Sequence, residues 1–224
     1  THTYPRSDDS YLSPDVLIQE AKRRGLDGVC ITEHDNFWDP RDLLELGRRH
    51  AFPVFPGCEV TTEEGHILVF GLSRYLFGMH KADFVRRCVD EAGGAMVVAH
   101  PYRRRFREAE ARSPGVYELM LERACSAALF SLVDAVEVLN GRGSAAENRF
   151  SLDLAERFGL PGTGASDAHR VEEVGSYATE FLGRVETLDD LIRELRAGRF
   201  RAVALHRGAA TSQVLRTERT GWSG

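Results

Sequence analysis

The stretch GASDAHR, residues 164–170, places Asp167 and His169 two positions apart, directly after the small, mostly apolar run Leu160–Ala165. On an extended backbone side chains alternate in direction, so both point to the same side and can converge on one small target. Taken alone, the pair reads equally as an ion-paired loop or as part of a working site. Other imidazoles and carboxylates recur at comparable places. His34 follows GVCIT, Glu59 follows FPGC, His66 opens ILVFGL, His100 closes AMVVA, and His2 and Asp8 stand near the start. Of the eight histidines, only His50, His80 and His206 fall on predicted helix ends or in the tail. Imidazoles with carboxylates, and without thiolates, suit catalytic Zn, Mn or Fe rather than a structural zinc.

These residues need a scaffold that brings strand ends together, and the chain alternates short β-branched runs with amphipathic helices. That pattern predicts an α/β fold with a parallel sheet. Ser13 and Pro14 open a helix to Arg24 with Gly25 after it, and Asp39 and Pro40 open another through RDLLELGRRH. Further helices are expected over KADFVRRCVDEAGG, about 116–127, 144–158 and TLDDLIRELRAGRF. Strands are expected at GVCIT, FPVFPGCEV, HILVFGL, AMVVAHP, DAVEVLNGR, LPGTGASDAH and RAVAL, with a tight turn at 63–65. In an α/β barrel the carboxyl ends of the strands define the active face.

At 224 residues the chain can bury one large core, and a single domain over 1–206 is expected, with 207–224 a tail of low apolar content. No apolar run reaches the length of a membrane span, and no signal peptide is read at the start. Cys30, Cys58, Cys88 and Cys125 lack CxxC spacing and read as reduced thiols of a cytoplasmic protein. The net charge of −5 argues against an extended nucleic-acid surface.

The segments THTYPRSDDS, ITEHD, PGCEVTTEEGH, AHPYR and SDAH, in this order and context, resemble the PHP (polymerase and histidinol phosphatase) domain over nearly the whole chain. The resemblance implies a distorted TIM-like (β/α)7 barrel with two or three divalent ions, Zn, Mn or Fe, at its carboxyl face. It implies that His2, Glu59 and Asp167 hold one ion, that a bridging Glu59 joins His66 and His100 on a second, and that Asp8, His34 and His169 hold a third. Asp9 is adjacent and can take the place of Asp8. The family's first motif is His-x-His, whereas this sequence starts at Thr1, so the first histidine and first barrel strand are expected to lie before residue 1.

Such a cluster lowers the pKa of a shared water and supplies a metal-bound hydroxide for in-line attack on a phosphate ester. Glu59, Asp167 and His169 are then the expected catalytic set. A phosphate also needs cations, and Arg binds it bidentately. Arg103, Arg104 and Arg105 lie just beyond His100, with Arg142 and Arg170 as further candidates, against the plain alternative of a solvated charge run. Tyr102 can offer a hydroxyl or pack in the core. The expected partner is a small phosphomonoester or nucleotide. An exonuclease acting on short oligonucleotide ends and a non-catalytic scaffold module are the alternatives. A binuclear amidohydrolase with a carboxylated Lys bridge fits less well, because Lys22 and Lys81, the only lysines, both fall on helices or helix starts.

Overall fold

The computed structural model describes residues 1–104, 106 and 110–205. The elements in chain order are α1 (Pro14–Arg23), β1 (Val29–His34), α2 (Pro40–His50), β2 (Val54–Thr61), β3 (His66–Phe70), α3 (Ala82–Glu91), β4 (Ala95–Val98), α4 (Pro114–Cys125), β5 (Ala135–Asn140), α5 (Ala145–Phe158), β6 (Gly162–Ala165), β7 (Tyr177–Phe181), α6 (Leu188–Ala197) and β8 (Phe200–Ala204). The expected tail, 207–224, and Arg105 lie outside the described residues.

Local chemistry sets the helix ends. Ser13 accepts a bond from Val16 N ahead of Pro14, and Asp39 accepts one from Arg41 N ahead of Pro40. Reciprocal capping boxes, Ser144 with Glu147 and Thr187 with Asp190, start α5 and α6. Both of those helices stop at glycines in the left-handed conformation, Gly159 and Gly198.

Strands β1 to β6 form one sheet in sequential order, curled into a half-barrel. It is mixed rather than wholly parallel, which corrects the expectation. β3 runs antiparallel to both β2 and β4, while β1–β2 and β4–β5–β6 are parallel. The cause is the short link 62–65, closed by a bond from Thr62 N to Gly65 O. So few residues can make a hairpin but not the crossover a parallel partner requires. The consequence favours the site, because β3 begins where β2 finishes and His66, its first residue, lands on the edge that carries Glu59.

β7 was absent from the expected strands, and it pairs with β8 in a second, two-stranded sheet. A short 3-10 turn at Val171–Glu173, not an α-helix, lies between β6 and β7, so β7, like β3, has no helix leading into it. β7 abuts β6 through Thr179, whose hydroxyl accepts from Gly164 N and donates to Gly164 O. A Cβ on Gly164 would lie 2.6 Å from Ala178 O, so this contact requires glycine.

Apolar residues fill three clusters. Ile67, Val69, Met96, Val136, Phe150 and their neighbours pack β2 to β5 against α3, α4 and α5. Leu17, Ile18, Ile31 and Leu43 join α1, β1 and α2. Phe55, Phe70, Leu191 and Leu195 seat α6.

Candidate metal centre

The carboxyl edge of the sheet gathers the polar residues. His34 ends β1 opposite Glu59 in register, and Thr61 pairs with His66 across the hairpin. His100 lies two residues past β4, and Asp167 and His169 follow β6. The opening residues cross this edge: His2 N donates to Ala168 O and Thr32 N donates to Thr1 O, so they run between β1 and the segment after β6. Ser10 Oγ donates to the carbonyls of both His2 and His169, at 2.9 and 3.2 Å, and locks the N-terminal loop to the SDAH segment.

Glu59 is central, and its two oxygens face different partners. Oε1 lies 2.5 Å from His66 Nδ1 and 3.1 Å from His100 Nε2, whereas Oε2 lies 3.1 Å from His2 Nε2. His2 Nε2 is also 3.2 Å from Asp167 Oδ1. The rings of His2 and His34 stack at 4.1 Å, and those of His2 and His169 lie 4.4 Å apart. Of the two adjacent acids it is Asp9, not Asp8, that reaches the site: its Oδ2 is 3.1 Å from His169 Nε2 and 3.7 Å from His34 Nε2. The loop 3–12 thus brings the second acid, itself exposed, to the edge of the cluster.

Backbone strain collects here. Six described non-glycine residues have positive φ; Ala51 caps α2, and the other five, Asp35, His100, Tyr102, Arg104 and Asp167, all lie just beyond strand ends at this edge. Such conformations persist where the surroundings over-determine them, and they cluster at working sites.

The charges are strongly perturbed. Burial opposes ionisation of Glu59, but hydrogen bonds with His100, His2 and His66 prevail and hold its carboxyl well below the usual value. Asp167 behaves alike: burial is overcome by its bond with His2 and by the Arg103 guanidinium. Burial also disfavours charge on His2, yet bonds with Asp167 and Glu59 raise it, and Glu59 and Glu137 do the same for His100. His34 and His169 move the other way, lowered by burial and then by the neighbouring His2.

The arginines divide. Arg103 pairs with Asp167 Oδ2, and Arg142 Nη1 rests against the His169 ring, 2.9 Å from Nδ1. Arg104 is exposed, with its backbone N–H on Glu147, and Arg170 lies 5.4 Å over the Tyr11 ring. Tyr102 packs edge-on against Phe150, at 4.9 Å.

Three buried polar residues escaped the sequence reading. Glu33 accepts from Thr3 N, Ser7 Oγ and Trp38 Nε1, at 2.8, 2.5 and 2.9 Å, and from Thr3 Oγ1, pinning the N-terminal loop to β1. Glu137 and Asn140 lie beneath His100 and Asp167. The available signal was a carboxylate inside an apolar strand, in CITEH and again in AVEVLN.

The donor set fits divalent cations. Three groups, His2–Glu59–Asp167, Glu59–His66–His100 and His2–His34–His169, each hold their ligand atoms within 4.8 Å of one another. The buried Nδ1 of His2 has no hydrogen-bond partner among the described residues, while its Nε2 is the nitrogen that faces Glu59 and Asp167.

A profile of the PHP domain matches residues 1–133, and one described as PHP-associated matches 145–200. An uncharacterised protein of Methanocaldococcus jannaschii is 27% identical over 95 residues, and the chain spans about half (55%) of that relative's length. Among solved structures, a Bifidobacterium adolescentis protein proposed to be a metal-dependent phosphoesterase aligns at TM-score 0.57 and 19% identity, over 88% of this chain and 94% of that one. PsfC from Pseudomonas syringae aligns at 0.57 and 24%, over 84% and 81%. An amidohydrolase from Chromobacterium violaceum, with bound sulfate and no metal, aligns at 0.54 and 20%, over 92% and 97%. At these identities the structures speak for the fold, while the domain profile, covering more than half of the sequence, establishes that the chain belongs to the PHP family.

Proposed function

We propose that this chain is a metal-dependent phosphoesterase that hydrolyses a small phosphomonoester or nucleotide. The observation that carries the reading is the division of Glu59, one oxygen toward His66 and His100 and the other toward His2. A carboxylate so placed is a natural bridge between two cations. In this reading His2, Glu59 and Asp167 would hold one ion, Glu59, His66 and His100 a second, and His34, His169 and Asp9, in the place first given to Asp8, a third. When bound, Zn, Mn or Fe there supplies Lewis-acid polarisation of a phosphoryl oxygen and an activated water.

The chain's own residues do the rest. Buried Glu59 and Asp167 are held toward the ionised form, so their own carboxylate oxygens are available to a cation. His169 is held in place by its ring bond to the Asp167 carbonyl, 2.9 Å, and by Glu173 on its backbone N–H, 2.8 Å. Arg103 and Arg142 stand against two members of the cluster and are the cations best placed to turn onto a phosphate, ahead of Arg104 and Arg170. The reading also takes the half-barrel as most of a distorted seven-stranded barrel, over one domain reaching about residue 206, in a cytoplasmic protein. No described helix is long and apolar enough to cross a membrane.

The test is elemental analysis of protein purified without chelator, followed by a phosphate-release screen with the retained metal over phosphomonoesters, nucleotides and short oligonucleotides. Two or three ions per chain with phosphate release is the expected result. Bound metal without any release would favour a scaffold, and release confined to oligonucleotide ends would favour an exonuclease.

A further inference from the structure

Strand β5 ends between the strands that lead to His100 and Asp167, yet it contributes nothing to the three donor groups. It carries a buried polar couple instead. Glu137 Oε2 accepts from His100 N at 2.7 Å and from Asn140 Nδ2 at 2.9 Å. The same Asn140 Nδ2 lies 3.3 Å from Asp167 Oδ2, and Asn140 Oδ1 accepts from Arg142 N at 2.9 Å and from Arg103 Nη1 at 3.5 Å. The couple is anchored in turn to α5, since Asn140 N donates to Asn148 Oδ1 and Asn148 Nδ2 donates to Asn140 O.

Residues three apart on a regular strand face opposite sides. The β5–β6 register shifts between Glu137 and Leu139, and this irregularity turns Glu137 and Asn140 toward the same place. Both residues that the couple grips, His100 and Asp167, have positive φ, +28° and +50°. A ligand on a strained backbone keeps its aim only if something holds it there.

We infer that Glu137 and Asn140 are positioning residues that aim His100 and Asp167, so that the two ion places sharing Glu59 depend on them and the place at Asp9, His34 and His169 does not. The inference rests on reading the cluster as a metal centre. Partners behind metal ligands typically change affinity by roughly 10- to 100-fold.

The test is zinc titration of the full chain against a chromophoric chelator, with anomalous diffraction to show which ions remain. Glu137→Leu removes the acceptor, and Asn140→Asp, of equal size, replaces the donor with a carboxylate facing Asp167. Each should weaken the two Glu59-linked ions by roughly 10-fold or more and leave the third within about twofold. Glu137→Gln keeps an oxygen for both bonds and should restore affinity to within a fewfold of wild type. A merely structural role would move the melting temperature without sorting the ions or giving rescue by Gln. Should Glu137→Leu fail to fold, Asn140→Asp decides. Wild-type zinc binding in Asn140→Asp, or equal weakening of all ions, overturns the couple alone, whereas a wild type that binds no zinc overturns the metal centre itself.

Discussion

On one side of the donor cluster, His2, Asp167 and His100 have side chains 1%, 5% and 9% exposed, and all are tied to rigid strand ends or to one another. On the other side His34 is 32% exposed and Asp9, on the N-terminal loop, is 57% exposed, although His169 there is only 4% exposed and the deep half keeps one open member, His66, at 36%. The electrostatics differ in the same sense. The deep half pairs imidazoles with carboxylates and favours charge on both, while the outer half sets imidazole against imidazole and disfavours it. A deep half of fixed, compensated donors is preorganised, and an open half beside solvent is where a substrate can approach.

The most direct way to break this comparison is at Glu59, the one residue reaching both donor groups of the deep half. Glu59→Gln keeps the volume and removes the shared charge. Metal content should fall, and phosphate-releasing turnover should drop by on the order of 10³-fold, the equivalent of several kcal/mol of lost charge stabilisation. A wild-type rate at saturating manganese would remove Glu59 from the centre of the mechanism.

Asp167 and His169 come next, because they are two positions apart but belong to different halves. Asp167→Asn should disturb the ion shared with His2 and Glu59, and His169→Ala should release the one beside Asp9 and His34, each with roughly a 10²-fold loss of turnover. Crystal structures of both metal-loaded variants would show it. Loss of the same single ion in each would erase the distinction between halves.

A smaller effect is expected at the rim. Arg103→Ala should lower kcat/KM by about tenfold, the equivalent of about 1.4 kcal/mol, with metal content intact. Arg104→Ala, an exposed neighbour, should change it by less than about twofold. Equal effects of the two would return the whole tract to solvated surface.

The subtlest contrast is in the titration of chelated protein. His2 and His100, raised in the fold, contribute stability that is complete below the ordinary imidazole value and is lost as pH rises through their folded values. His34 and His169, lowered in the fold, contribute stability present above the ordinary value and lost as pH falls through theirs. Imidazole proton resonances should therefore give midpoints above the ordinary value for the first pair and below it for the second. A common midpoint for all four would mean that the halves do not differ.

Most helices, seven of the eight strands and the seven histidine and carboxylate positions that the structure gathers were readable in the amino-acid order. The reasons are local: caps, periodicity and strand ends each act over a few residues, and imidazoles at several strand ends share one edge in any α/β sheet. Three features needed the folded chain. The choice of Asp9 over its neighbour depends on how the loop 3–12 is held by Ser10 and Glu33, contacts to residues far along the sequence. The reversed direction of β3 follows from a link too short for a crossover. Glu137 and Asn140 meet only because a strand irregularity sets aside the two-residue alternation on which any reading of a strand from its sequence depends. Residue type and spacing thus determined which chemistry was available, and long-range contacts decided which of two adjacent acids reaches the cluster and which polar residues lie behind it.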